Sequence, residues 1–207
     1  MGSLTSTNGE IVARVRTNIN EPSTVTTPLR SDAEIMQWLH EAQLAYLHRV
    51  PQEHFPELTK SITFSGADVA LPNDYMFFHS CTVTHTISGT VMAIDDCFMI
   101  PIGDSYLSTY YPGTLGAWAK ITSGTTLSCG PNVVSGTFTY VKHPSFTTSS
   151  NSLFDLATEH EGPVIAYATA QALLKVNDSD AATWLQLYNE AIEAMGGRSE
   201  AKEIERA

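Results

Sequence analysis

The sequence has little positive charge and no long apolar run. Lys and Arg number 11 against 22 Asp and Glu, a formal net charge of −11. A surface that grips nucleic acid must displace counterions with clustered basic groups, so this balance argues against a protein that holds DNA or RNA. No stretch reaches the roughly 18 consecutive apolar residues that a membrane span needs. The first ten residues are polar and lack an apolar core segment, so no signal peptide is expected. The chain reads as one made and used in a cytoplasm, or in something assembled there.

Cysteine is scarce as well. Cys81, Cys97 and Cys129 are odd in number and widely spaced, and no CxxC pair occurs. They support neither a zinc knuckle nor a redox motif and read as buried small hydrophobes. The signatures of nucleophilic catalysis and phosphate binding, GxSxG, GxxxxGK[S/T] and GxGxxG, are absent. Seven histidines raise a metal hypothesis, but their spacing does not support it. His40 and His48 stand too far apart on one helix, and His79 and His85 point to opposite ends of one strand. His160-Glu161 lacks the second histidine of HExxH. Asp95-Asp96 forms a carboxylate pair only in a turn. The expectation is a protein without catalysis, metal or cofactor.

What is present is a helical pattern at both ends and a strand pattern between them. At 43% hydrophobic residues the chain can build a core. Ile11, Val15 and Ile19 lie four apart and predict a short amphipathic helix from Gly9 to Ile19, with Arg14 and Arg16 off the apolar stripe. Ser31-Asp32-Ala33-Glu34 reads as a capping box opening a helix that Pro51 ends, with Ile35, Trp38, Leu39, Ala42, Tyr46 and Val50 on its apolar face. Residues 51–60 form a linker with at most one helical turn. Near the C-terminus, Ile165, Ala168, Ala172 and Val176 mark one helix, and Trp184, Leu185, Tyr188, Ile192 and Met195 a second. Asn177 to Asp180 breaks the pair and Gly196-Gly197 stops it. Alanines at 166, 168, 170 and 172 allow close packing against the first of these. Its start reads either as a second capping box, Thr158-x-x-Glu161, or as Pro163 at the first helical position.

From Ser61 to Lys142 the apolar period is two, and short runs alternate with turns. Leu71-Pro72-Asn73-Asp74-Tyr75 is one turn. Ser-Gly-Thr triplets at 88–90, 123–125 and 135–137 read as hairpin punctuation. The predicted fold is α+β: a helical bundle built from N- and C-terminal helices, carrying an inserted antiparallel β domain that is sandwich-like. The expected divisions are residues 1–60 for the N-terminal helices, 61–145 for the β insertion, 146–197 for the C-terminal helical pair and 198–207 for a charged, mobile tail. One stretch, residues 105–118, concentrates Tyr106, Tyr110, Tyr111 and Trp118 around Pro112-Gly113. It either presents contact area to a partner or closes the core of the sheet.

Several of these segments together resemble tailed-bacteriophage head-to-tail adaptor (connector) proteins. The opening of that family is a short helix, an acidic-proline loop, a Ser/Thr-Asp cap and a helix with an (Asn/His)-Glu-Ala core. Here these are Glu21-Pro22, Ser31-Asp32 and His40-Glu41-Ala42, with histidine where asparagine is more usual. Leu71 to Tyr75 resembles the family's Leu-Pro-x-Asp-aromatic turn, and residues 136–144 resemble its strand ending in Tyr-x-Lys-x-Pro. The helical pair Leu156 to Met195 follows in order, so the resemblance covers about residues 10–196. It implies a non-catalytic structural protein of the virion, at the head-tail junction. Such proteins form a ring, usually twelvefold, under the portal, and a next tail component, a nozzle or a stopper, binds beyond. DNA passes the lumen without specific binding, which suits an acidic chain. By the same resemblance the tail would fold on the portal, with Ile204 as its apolar anchor and Lys202 and Arg206 meeting acidic side chains. The alternative is a β-rich binding module of a tail or capsid, with the aromatic stretch as its platform.

Overall fold

A computed structural model describes residues 6–21, 28–87, 90–94, 97–99, 118–130 and 132–196. The chain divides into two compact units: Met1–Leu58 with Pro144–Ala207, and Thr59–His143. Its class is α+β, with four α-helices and two largely antiparallel sheets among the described residues.

The first unit is helical. Helix α1 spans Asn8–Asn18 and begins with a capping box, because the Thr7 hydroxyl accepts from the Glu10 N–H while the Glu10 carboxylate accepts from the Thr7 N–H. Helix α2, Asp32–Arg49, opens with the expected Ser31–Glu34 box. Two 3₁₀ turns follow, Gln52–His54 and Pro56–Leu58. The predicted linker is therefore more structured than one turn, because Phe55 and Leu58 are core residues and Phe55 packs edge-on against Tyr46. Helix α3 spans Thr158–Leu174 and α4 spans Ala181–Ala194.

Helix α3 lies against α1, α2 and α4. Ten of its residues are buried, among them all four predicted alanines, so it is apolar around most of its circumference rather than along one stripe. Val176 leaves the expected face: it lies beyond the helix end and is exposed. The chain turns there through Asn177 at φ 56°. Helix α4 is amphipathic, with Tyr188 and Ile192 buried, and Gly196 ends it at φ +73°.

The second unit is a β-sandwich. Its strands are β1 Thr59–Ser65, β2 Asp68–Ala70, β3 Tyr75–Ile87, β4 Thr90–Ile94, β5 Phe98–Met99, β6 Trp118–Thr122, β7 Thr126–Cys129 and β8 Val133–Lys142. They form two four-stranded sheets, β1-β8-β3-β4 and β2-β7-β6-β5. One shared core joins them, with Phe64, Cys81, Val83 and Phe138 from the first sheet and Ala119, Ile121 and Leu127 from the second. Pairing is antiparallel except between β5 and β6, which run parallel and so depart from the predicted pattern.

The Leu71–Tyr75 turn forms as read, closed by the Tyr75 N–H on the Pro72 carbonyl. Of the three Ser-Gly-Thr triplets, Ser123-Gly124-Thr125 joins the β6–β7 hairpin, with Ser123 and Gly124 both at positive φ. Ser88 and Gly89 lie outside the described residues. The triplet at 135–137 punctuates nothing and lies inside β8. Gly136 is there for space: a Cβ would sit 2.5 Å from the Thr82 carbonyl oxygen and 2.6 Å from the Phe64 ring.

Candidate interaction surface

Buried charge in the helical unit is used to fix the chain. Arg16, read from its spacing as lying off the apolar stripe, is buried. Its guanidinium donates to the Asp32 carboxylate at 2.8 and 2.5 Å and to the Arg30 carbonyl at 2.8 Å. Arg30, also buried, donates to Glu21 at 2.5 Å and to the Ala172 carbonyl at 2.9 Å. The acidic residue of the Glu21-Pro22 loop is thus the acceptor that ties Glu21 to Arg30, and Arg30 in turn to α3. Arg14 reaches the buried Glu161 at 2.5 Å.

His160, in the first turn of α3, is fully buried. Its Nδ1 lies 3.2 Å from the Tyr46 hydroxyl and its Nε2 2.8 Å from the His54 carbonyl. Burial, reinforced by the charges of Glu159 and Glu57, pushes the Tyr46 phenol up to about 12. Both imidazole nitrogens are engaged, so this cluster ties α2 and the Gln52–His54 turn to α3.

Neither reading of the start of this helix, a second capping box or Pro163 at the first helical position, is what forms. Helix α3 starts at Thr158 after Ala157, with no side-chain cap, and Pro163 lies within the helix. Glu161 reaches Arg14 instead of turning back to its own N-terminus.

The small recess bordered by Met36, Leu39, His40, Gln43, Phe146 and Phe154 has room for about one water molecule. Among the described residues no group of three or more His, Cys, Asp or Glu could hold a metal ion. No helix among them is long and apolar enough to cross a membrane.

The outer surface differs from this ordered interior. Leu174 and Val176 at the end of α3 and Leu187 on α4 are each more than two-fifths exposed. They flank the acidic break that contains Asp178 and Asp180. Of the residues singled out for partner contact, Trp118 begins β6 and pairs with Phe98. Tyr106, Tyr110, Tyr111, Lys202, Ile204 and Arg206 lie outside the described residues, as does the side chain of Trp118. Sequence spacing does not reveal Arg14, Arg16, Arg30 and His160 as structural residues, because their partners are set by the fold and not by local pattern.

With the helical unit and the β unit described, the family can be assigned. The family model for the SU10 adaptor protein matches residues 6–206. The chain belongs to the SU10 adaptor protein family. No curated protein matches it. The match makes this chain a bacteriophage structural protein of the head-to-tail connector type. In this adaptor, Glu21 and the start of the capped helix, both part of the family resemblance, are tied together by the Arg16–Glu21–Arg30–Asp32 network. The Leu71–Tyr75 turn is held in a similar way: Asp74 accepts from Lys60 at 2.6 Å and from the Tyr140 hydroxyl at 2.8 Å. These two partners keep the Asp74 carboxyl below its usual range, and Tyr140 is pushed up to about 12 by burial and by Asp74.

Proposed function

We propose that this adaptor assembles as a closed ring beneath the portal, usually twelvefold in such proteins, and joins it to the next tail component, a nozzle or stopper. The observation that carries the reading is the family match over nearly the whole chain. On this reading the four helices are the bundle of each subunit and the β unit is its insertion. A closed ring needs two different patches per subunit. The exposed apolar residues Leu174, Val176 and Leu187 suit one of them, and the stretch with Tyr106, Tyr110, Tyr111 and Trp118 suits the other. Lys202, Ile204 and Arg206 would dock on the portal, where the ring multiplies a weak contact. DNA would cross a lumen that repels it, in keeping with the net charge of −11. Assembly would occur in the host cytoplasm and the product would reside in the virion, without catalysis.

The test is electron microscopy and mass measurement of the purified protein, alone and with portal. Rings are expected in at least the second condition, and a chain that stays monomeric in both defeats the proposal. Leu187→Asp should abolish rings while leaving the melting temperature unchanged. Trp118→Ala should weaken each contact by about 2 kcal/mol if Trp118 is an interface anchor. Deleting residues 198–207 should remove portal docking alone.

A further inference from the structure

The two sheets of the β unit treat their edges differently. An edge strand offers a row of unpaired backbone N–H and C=O groups, and proteins blunt it by keeping the strand short or by placing charge, proline or a bulge on it. The edges of the second sheet are blunted by length: β2 has three residues, one of them Asp68, and β5 has two. The first sheet ends on β1, with seven residues, and on β4, with five. Neither contains proline, and Lys60 is the one charged residue between them. Both pair in unbroken register with their inner neighbours, and the irregularities of this sheet lie in its middle, between β3 and β8. Among the described residues no strand pairs with the outer side of β1 or β4. The outer face between these edges is also uncharged along its register: Thr63 pairs with Thr137 and Thr137 with Thr82. Thr86, four residues on and so on the same face, pairs with Val91 of β4, which is 64% exposed.

We propose that β4 of one copy pairs antiparallel with β1 of a second copy, so that the first sheets of neighbouring adaptors run on as one. The strand directions fit. Each pairing in the order β1-β8-β3-β4 is antiparallel, so β1 and β4 run in opposite senses, and β4 meets the β1 of a copy in the same orientation as one more antiparallel strand. The two edges are different patches of one subunit, which is the contact a closed ring needs. Charge favours a second copy at this place. Two chains at −11 each repel, but neither β1 nor β4 contains an acidic residue. Asp95-Asp96 follow β4 in sequence, and antiparallel pairing carries them toward the end of β1 that bears Lys60. The face fixes the register as well. Val91 must stand opposite Ser61, Thr63 or Ser65, because a slip of one residue would set it on the inner face with Ile62 and the buried Phe64. This contact lies within the ring proposed above and rests on that reading.

The test is cross-linking of the full-length protein, alone and with portal. Val91→Cys would be combined in turn with Ser61→Cys, Thr63→Cys and Ser65→Cys, all at exposed positions. Within one copy β1 and β4 stand three strand spacings apart, roughly 14 Å, too far for a disulfide, so any such bond joins two copies. One of the three pairs should give a ladder of covalent multimers on mild oxidation, with peptide mapping placing the bond between position 91 and β1. A second test compares two double variants by mass measurement. Val91→Lys with Thr63→Glu should associate more tightly than Val91→Lys with Thr63→Lys, by roughly tenfold per contact. Net charge alone predicts the reverse order, because the second variant is the less negative of the two. Unchanged melting of both variants would show that only the contact has moved. Rings that form with no bond from position 91 to β1, a bond from position 91 to the portal, or double variants that associate equally overturn the pairing and leave the ring reading standing. A chain that stays monomeric with portal present overturns both.

Discussion

The two units of this protein hold their interiors by different means. The helical unit buries charge: Arg16, Glu21, Arg30 and Glu161 lie inside it, each in an ion pair or hydrogen bond with a residue on another segment. The β unit buries aromatic rings and thiols. The ion pair seen among its described residues, Lys60 to Asp74, lies at the surface. Helices joined by loops can slide or rotate against one another without losing their own backbone bonds, so directional contacts between them fix their register. Strands already fix one another through paired backbone groups, and the sandwich needs only shape at its centre. Buried charges in the first unit and a packing glycine in the second do the same job of specifying one arrangement.

The comparison breaks hardest at the buried charges. Arg30→Met should cost the helical unit about 4 kcal/mol, because Glu21 is left buried without its nearer cation and the Ala172 carbonyl loses a donor. Denaturant melts by circular dichroism, with the β unit followed separately by hydrogen exchange of its strand amides, would measure it, and loss from both units equally would contradict the division. Gly136→Ala is the counterpart in the β unit. A Cβ there meets a backbone oxygen that cannot move aside, so about 3 kcal/mol is expected from the β transition alone.

A finer test uses two tyrosines. Tyr46→Phe removes the hydroxyl facing His160 in a dry interior and should cost about 1 kcal/mol. Tyr140→Phe removes a hydroxyl facing Asp74 near the surface, where water can replace it, and should cost less. Equal losses in the denaturant melts would mean that water reaches His160.

The smallest effect concerns acid. Lys175 first, then the Ser31 N–H, hold the Glu34 carboxyl at about 2 instead of 4.5. Its folded value is the lower one, so its contribution is complete above pH 4.5 and is lost as pH falls toward 2. Glu34→Gln should flatten the acid dependence of the helical transition in that window and leave the β transition unchanged, as a stability–pH titration would read.

Capping signatures show what is legible in sequence. Three Ser/Thr-x-x-Glu runs stand before helices in this chain: Thr7 to Glu10, Ser31 to Glu34 and Thr158 to Glu161. The second is expected to form a box and does. The first forms a box that the sequence reading does not single out; the third, read either as a box or as preceding a helix that starts at Pro163, forms no box, and the helix starts at Thr158. In the two true boxes the glutamate carboxylate accepts from the backbone N–H of the capping residue, at 2.7 Å from Thr7 and 2.9 Å from Ser31, and both bonds are exposed. At the third, Arg14 arrives from α1, 147 residues away in sequence, and takes the carboxylate. The turn at Leu71 to Tyr75, the Ser123-Gly124 hairpin and the Gly196 stop are legible for the same local reason: φ preference and hydrogen bonds within a few residues decide them.

The sequence by itself determined the kind and order of the elements, the acidic balance and the family to which the chain belongs. Those follow from periodicity, turn chemistry and motif order, all of which act over short spans of chain. Only the tertiary structure decided which strands share a sheet and that Gly136 is a packing residue and not a turn. It alone brought Arg30 to the end of α3, His160 to Tyr46, and Cys81 to Cys97 and Cys129. Each of those pairings joins positions well separated along the chain, and burial, not spacing, selects the partner.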